Sequence, residues 1–329
     1  MVALSPRLLY GLSHRPRHPG NPQEIRCGKR RQAPASRTSG TSAVPVPPAV
    51  SVRPRRSSLT KEKRMSATAT LRTLLLVGDR FAGFAAQQDV VTVSQFIEEM
   101  RLGVYSWDNR PVRVRAGQGV TAEDADLVRD AALLLGLGDR LDLDFRPTAL
   151  AGRGEAHKHR SCNTLIADLR RDGADLFSAT LRVHNDNELL LDHQTGEHVQ
   201  GMVAVEAARQ MFLAVSERYH ACRYLDRSYY YVIESMNTDF ENFLFPVDAT
   251  VVYHSLRAEL DNPDRLSFAA EISLHQADRR ASLTTVTYTA FDAPVIEAKE
   301  HRRGRFAVEH TVRNAATRVT VEQPALVGA

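Results

Sequence analysis

Cysteine is scarce. Only Cys27, Cys162 and Cys222 occur in 329 residues, and no CxxC pair is present. That is too few and too scattered for a disulfide framework, and it points to a reducing compartment. No run approaches the roughly eighteen consecutive apolar residues of a membrane span. The first residues also lack the basic-then-apolar order of a secretory signal, so a cytoplasmic protein with no membrane association is expected. No GxGxxG and no P-loop lysine follow a strand-like run, and no metal-ligand spacing appears. Neither a cofactor nor a metal is expected.

The formal charge of +4 hides an uneven distribution. Residues 1–64 hold 14 Lys and Arg against two acids, Glu24 and Glu62, so the remaining 265 residues carry a net charge of −8. An acidic body is not built to bind nucleic acid by its field; only the tail has the charge for that. That tail also holds nine of the 15 prolines and shows no apolar periodicity. Such a composition cannot bury enough surface to offset its ordering entropy, and disorder is expected over 1–64. A basic nucleic-acid arm, an acid-poor transit peptide and upstream sequence translated from an early start are the alternatives. The last is favoured, because patterned sequence begins at Met65 with MSATATLRTLLLVGDRF.

What is present after Met65 falls into two grammars. Residues 65–150 read as a small α/β module. LRTLLLVG is a short apolar run closed by Gly78; Thr92 with Gln95 marks the start of a helix ending at Gly103. PVRVRAGQG alternates like a strand, and Thr121 with Asp124 caps a second helix that stops at Gly136 and Gly138. Gly117-Gln118-Gly119 stands between strand and helix, where backbone N–H groups can meet an anion, but a plain tight turn is the favoured reading.

From residue 151 the order becomes two strands, a polar loop, one long apolar helix and four more strand-like runs. These last are SYYYVIESM, ATVVYHSLRAEL, LSFAAEISL and ASLTTVTYTAF, with turn signals at DNPD and QADR between them. An α+β domain over 151–312, an antiparallel sheet wrapped around one buried helix, fits that order. Residues 313–329 are expected to form a flexible C-terminus.

The helix running from Met202 is apolar almost all round, so its polar residues need a reason. Glu206 lies three positions from Arg209 and four from Gln210, which puts all three on one face. One reading is a structural ion pair on an edge that reaches solvent. The other is a carboxylate in a cleft, its basicity raised by burial and lowered by Arg209. The preceding loop favours the second. Gly201 permits close backbone approach, the free N–H groups near Gly201 to Val203 suit a carbonyl oxygen, and His193 and His198 are close in sequence, with Asp192 able to orient one of them.

The order Asp192-His193, a short loop, His198-Val199, Gly201-Met202 and then Glu206-Ala207-Ala208-Arg209-Gln210 resembles the A-factor biosynthesis hotdog family, the butyrolactone autoregulator synthases of actinomycetes. There the stretch runs roughly DHPxDHVPGMxLLEAARQA, and AHKHR (156–160) is similar to the lead into the family's hotdog unit. The resemblance implies a hotdog fold and transfer of a β-ketoacyl group from acyl carrier protein, or a CoA thioester, to dihydroxyacetone phosphate or a similar phosphorylated hydroxyl acceptor. It implies Glu206 as general base, Arg209 as orienter or phosphate holder, and His193 as a positional group or second proton carrier. Asp192, His198, Gly201, Met202 and Gln210 become substrate-binding positions. The chain departs from the pattern in having one unit where the synthases carry two, which implies a homodimer, and in Gln200 and Ala204-Val205 replacing a Pro and a Leu pair.

Two rival functions stay open. One is a hotdog dehydratase or thioesterase acting on acyl-ACP or acyl-CoA through Glu206 and His193; the other is a non-catalytic acyl- or butyrolactone-binding partner. His157, Lys158, His159 and Arg160 read as a solvated basic face in preference to a phosphate or carrier site. Tyr229 to Tyr231 read as packing residues, and no role is assigned to Trp107.

Overall fold

The computed structural model describes residues 71–107, 110–191 and 196–321, with side chains as far as residue 315. The tail over 1–64, Asp192 and His193 lie outside the described residues.

Four parallel strands open the described chain: β1 (Arg72–Val77), β2 (Val90–Thr92), β3 (Val112–Ala116) and β4 (Leu141–Asp144), in the order β2-β1-β3-β4. Helix α1 (Val93–Arg101) begins where Thr92 Oγ1 accepts the Gln95 N–H at 3.2 Å. Helix α2 (Ala122–Leu134) begins at a complete capping box, in which Thr121 and Asp124 each accept the other's N–H. The run LLLV in β1 is continuously apolar because both faces of its sheet are covered. Leu74 and Leu76 join Phe96, Val114 and Val128 under the helices. Leu75 and Val77 pack into the core of the second half of the chain.

That second half contains helix α3 (Arg153–Ala156), strands β5 (Ile166–Arg171) and β6 (Leu176–Leu181), and helix α4 (Gly201–Val215). Strands β7 (Tyr229–Phe240), β8 (Thr250–Glu259), β9 (Arg265–Gln276) and β10 (Arg279–Asp292) follow, then helix α5 (Ala293–Val321). All six expected strands are present, in one antiparallel sheet ordered β5-β6-β8-β9-β10-β7. Alternate residues of β9, from Leu266 through Phe268, Ala270 and Ile272 to Leu274, are buried, as are Val251 and Tyr253 of β8. Helix α4 touches every strand of the sheet. Ala204, Ala207 and Ala208 let it come close, and Phe212 stacks on Tyr288 of β10 at 4.3 Å. Register shifts in β8 and β10 bend the sheet around the helix.

Helix α5 runs past residue 313 to Val321. No proline interrupts the chain between Pro294 and Pro324, and Ala, Glu and Arg favour helix across that span. No helix among the described residues is long and apolar enough to cross a membrane.

The Gly117-Gln118-Gly119 stretch is a joint between the two halves. Gln118 is 1% exposed; its Nε2 donates to the carbonyls of Leu181 and Val247, and its Oε1 accepts the Val183 N–H at 2.7 Å. A Cβ at Gly117 would sit 2.5 Å from the Pro246 carbonyl oxygen, so only glycine fits there. Ligands of open parallel sheets bind beyond the strand C-termini where the order reverses. Here that place, between the ends of β1 and β3, is filled by the chain itself.

Replacing Gln118 with Ala takes its partner from the buried Val183 N–H and Leu181 carbonyl, while the Val247 carbonyl keeps Gln276, and is expected to lower unfolding free energy by about 2 kcal/mol. Urea denaturation of the variant against the parent chain measures this; a loss under about 0.5 kcal/mol would show that the joint does not hold the halves together.

Candidate active site

Helix α4 opens to the surface along one stripe: Met202, Val205, Glu206 and Arg209 are exposed or half-buried while their neighbours are buried. The 3.6-residue repeat brings Glu206, Arg209 and Gln210 together, as their spacing requires. Arg209 grips the carboxylate with two bonds, Nε to Oε2 at 2.7 Å and Nη2 to Oε1 at 2.9 Å. Gln210 is fully buried; its Nε2 donates to Glu206 Oε1 at 3.0 Å and to the Asn163 carbonyl at 2.8 Å. Its Oε1 accepts the Leu165 N–H at 2.8 Å, so the amide ties the helix to the start of β5.

The remaining donor comes from outside the helix. Lys158 Nζ stands 2.6 Å from Glu206 Oε1, with side-chain exposures of 25% and 18%. The reading of residues 157–160 as a solvated basic face is therefore corrected at its centre. The turn that delivers Lys158 is firmly built. His157 adopts a left-handed conformation at φ 51°, and the Lys158 N–H donates to the Arg153 carbonyl. Glu155 pairs with Arg218 and His157 with Glu217. Burial pushes the Glu206 carboxyl upward, but the bonds from Arg209, Lys158 and Gln210 outweigh it and bring the pKa to about 2. Glu206 is thus an ionised, strongly solvated-by-protein carboxylate.

The positions before Glu206 form a second group. His198 is half-buried with its ring edge toward Phe243 at 5.4 Å, and Val199 donates its N–H to the Leu244 carbonyl. A Cβ at Gly201 would meet the Phe240 ring at 2.9 Å, so glycine lets β7 approach the helix start. Met202 is 57% exposed. The Val203 N–H is already taken by the Gln200 carbonyl at 3.0 Å, which corrects the expectation that it is free; Gly201 and Met202 keep the N–H groups that α4 does not use. Those donors lie about 7 Å up the helix axis from Glu206. Asp192 and His193 belong to the part of the loop outside the described residues.

Residues 143–292 match the family model of the A-factor biosynthesis hotdog domain. The chain carries an A-factor biosynthesis hotdog domain. Its sheet and central helix are the second half described above, with the Glu206 cluster on the helix. No curated protein matches the chain. Among solved structures, a mutant thioesterase from Pseudomonas aeruginosa is similar at 15% identity and a TM-score of 0.29, covering 38% of this chain and 81% of its own. A thioesterase from Haemophilus influenzae is 12% identical with a TM-score of 0.30, over 45% of this chain and 93% of its own. A Helicobacter felis protein gives 12% and 0.30, over 46% and 93%.

A cleft of about 1300 Å³ opens elsewhere, along the seam between the hotdog domain and the α/β half, and no residue of the Glu206 cluster lines it. Its cations are largely paired, Arg115 with Asp248, Arg129 with Asp126 and Arg146 with Asp144. Sequence reasoning missed Lys158, although one signal was available: it is the single lysine between residues 64 and 298.

The depressed pKa of Glu206 has a stability consequence with a definite sign. Its contribution is fully present above the ordinary carboxyl value of 4.5 and is lost as pH falls through 4.5 toward 2. The stability difference between the parent chain and Glu206→Gln is expected to be about 2 kcal/mol at pH 7, allowing for screening, and to vanish near pH 2. Denaturant melts across that range check it; a difference independent of pH would contradict the assignment.

Proposed function

We propose that the chain is a cytoplasmic acyltransferase of secondary metabolism or signalling. In this reading it moves a β-ketoacyl group from acyl carrier protein, or from a CoA thioester, onto the hydroxyl of dihydroxyacetone phosphate or a similar phosphorylated acceptor. One observation carries the choice of acceptor: two cations, Lys158 and Arg209, converge on one carboxylate, leaving a half-buried site with surplus positive charge. A water-activating carboxylate needs no such surplus. A phosphate-bearing alcohol does.

In the step this supports, the acceptor hydroxyl gives its proton to Glu206 as its oxygen bonds to the thioester carbonyl carbon. In this reading the N–H groups of Gly201 and Met202 stabilise the oxyanion. The carbon–sulfur bond then breaks, the sulfur leaves as thiolate and recovers the proton from Glu206, and ester and thiol are the products. Arg209 holds Glu206 and faces the phosphate. Gln210 fixes the carboxylate and His198 is a substrate-binding position in this reading, while His193 and Asp192 keep the catalytic and substrate-binding roles that the resemblance implies. The proposed assembly is a homodimer. The edge strand β7 is 12 residues long and exposes Tyr230, Ile233 and Phe240, which supports pairing with a second copy.

Incubating the full chain with β-ketoacyl carrier protein, with and without dihydroxyacetone phosphate, and following products by mass spectrometry tests the reading. The β-ketoacyl ester of dihydroxyacetone phosphate is expected, with formation reduced by about 10² to 10⁴-fold in Glu206→Ala. Free acid as the sole product would make the protein a thioesterase, and no turnover by a folded protein would make it a binding partner.

A further inference from the structure

The chain contains 38 arginines and five lysines, and between residues 64 and 298 every cation but Lys158 is an arginine. The exception lies on Glu206. Arginine would hold a carboxylate with a rigid two-bond fork; lysine brings a compact charge on a flexible stem that exchanges partners readily. The other two donors to Glu206 have no such freedom. Arg209 is bound to both oxygens from the same helix, and Gln210 is fixed at Leu165 and Asn163. The backbone of Lys158 is clamped by the α3 turn while its ammonium is a quarter exposed.

The surrounding charges do not supply it with another partner. Glu155 is held by Arg218, Glu217 faces His157, and Glu188 faces Arg160. Among the described residues Glu206 is the one carboxylate within ion-pair distance of either Lys158 or Arg209. An incoming phosphate, with two negative charges, outbids that single shared carboxylate for the mobile cation.

We propose that Lys158 is a positioning residue that masks Glu206 until the phosphate of the acceptor draws its ammonium away, so that the carboxylate gains basicity only when an acceptor is present. The inference rests on the acyl-transfer reading, and it gives the site a reason not to hydrolyse the thioester before the acceptor arrives. Removing one of three donors from Glu206 Oε1 restores part of the basicity that those donors suppress.

The test uses inorganic phosphate as probe and needs no turnover. With five lysines in the chain, lysine labelled at Cε and Nζ gives few NMR signals, and Lys158→Met assigns the one that matters. In the full-length protein the Lys158 signal is expected to shift with saturating phosphate, toward the position it holds without phosphate in Glu206→Gln. Labelled Glu206 is expected to titrate at higher pH with phosphate bound, and also in Lys158→Met without phosphate. Phosphate affinity is expected to fall about tenfold in Lys158→Met, the loss of one charge-assisted contact. Lys158→Arg, which keeps the charge, is expected to bind phosphate within a few-fold of the parent but to leave the Glu206 titration unmoved. A Lys158 signal unchanged at saturating phosphate, or equal phosphate affinity in Lys158→Met, overturns the proposal. Absence of ester in the acyl-transfer assay, with these shifts intact, would instead remove the reading on which it rests.

Discussion

A carboxylate on a helix that packs against six strands has to be matched by donors, because an unmatched charge in that position costs several kcal/mol. The match at Glu206 organises much of its neighbourhood. Arg209 answers from one turn along α4, Gln210 answers while tying α4 to the start of β5, and Lys158 answers from the turn after α3. That turn in turn requires the Glu155–Arg218 and His157–Glu217 pairs and a left-handed backbone at a non-glycine residue. A chain seeking only stability would place an apolar residue at 206, as it does at 203, 207 and 211. The network is maintained against that simpler solution, which is the physical ground for reading it as functional.

Much of this was legible in the sequence, and for identifiable reasons. Strand alternation in LSFAAEISL and ASLTTVTYTAF and the all-round apolarity of the 202–215 run are local signals, and they fixed the six strands and the central helix. The Glu206, Arg209, Gln210 trio was legible because helical spacing places i, i+3 and i+4 on one face whatever the rest of the fold does. Lys158 was not, because it reaches Glu206 across 48 positions of chain and its contact depends on the left-handed turn at His157. The run His157 to Arg160 carries four basic side chains in a row, and local charge density masked the one that turns inward. The helix over 313–321 was not legible because Val and Thr are weak helix formers, yet nothing in the segment stops a helix already nucleated upstream.

The α/β half bears on the site by a different route. Its sheet ends at the place where open parallel sheets accept ligands, and that place is filled by its own Gln118 bonded to the backbone of 181–183 and by Pro246 of the hotdog domain. The loop after β1 goes further. The Phe84 N–H donates to the Gly196 carbonyl at 3.0 Å, and the Phe84 ring stacks on Phe245 at 5.7 Å, which lies beside Phe243 and so beside His198. The segment leading into α4 is therefore held from both sides, by β7 through Phe240 at Gly201 and by the α/β half at Gly196. Lone loops of this kind sample many conformations. Fixing two points on the approach to the helix orients the N–H groups of Gly201 and Met202 at its start. The α/β half thus braces the entry to α4, and its own crevice is closed because closing it is what joins the two.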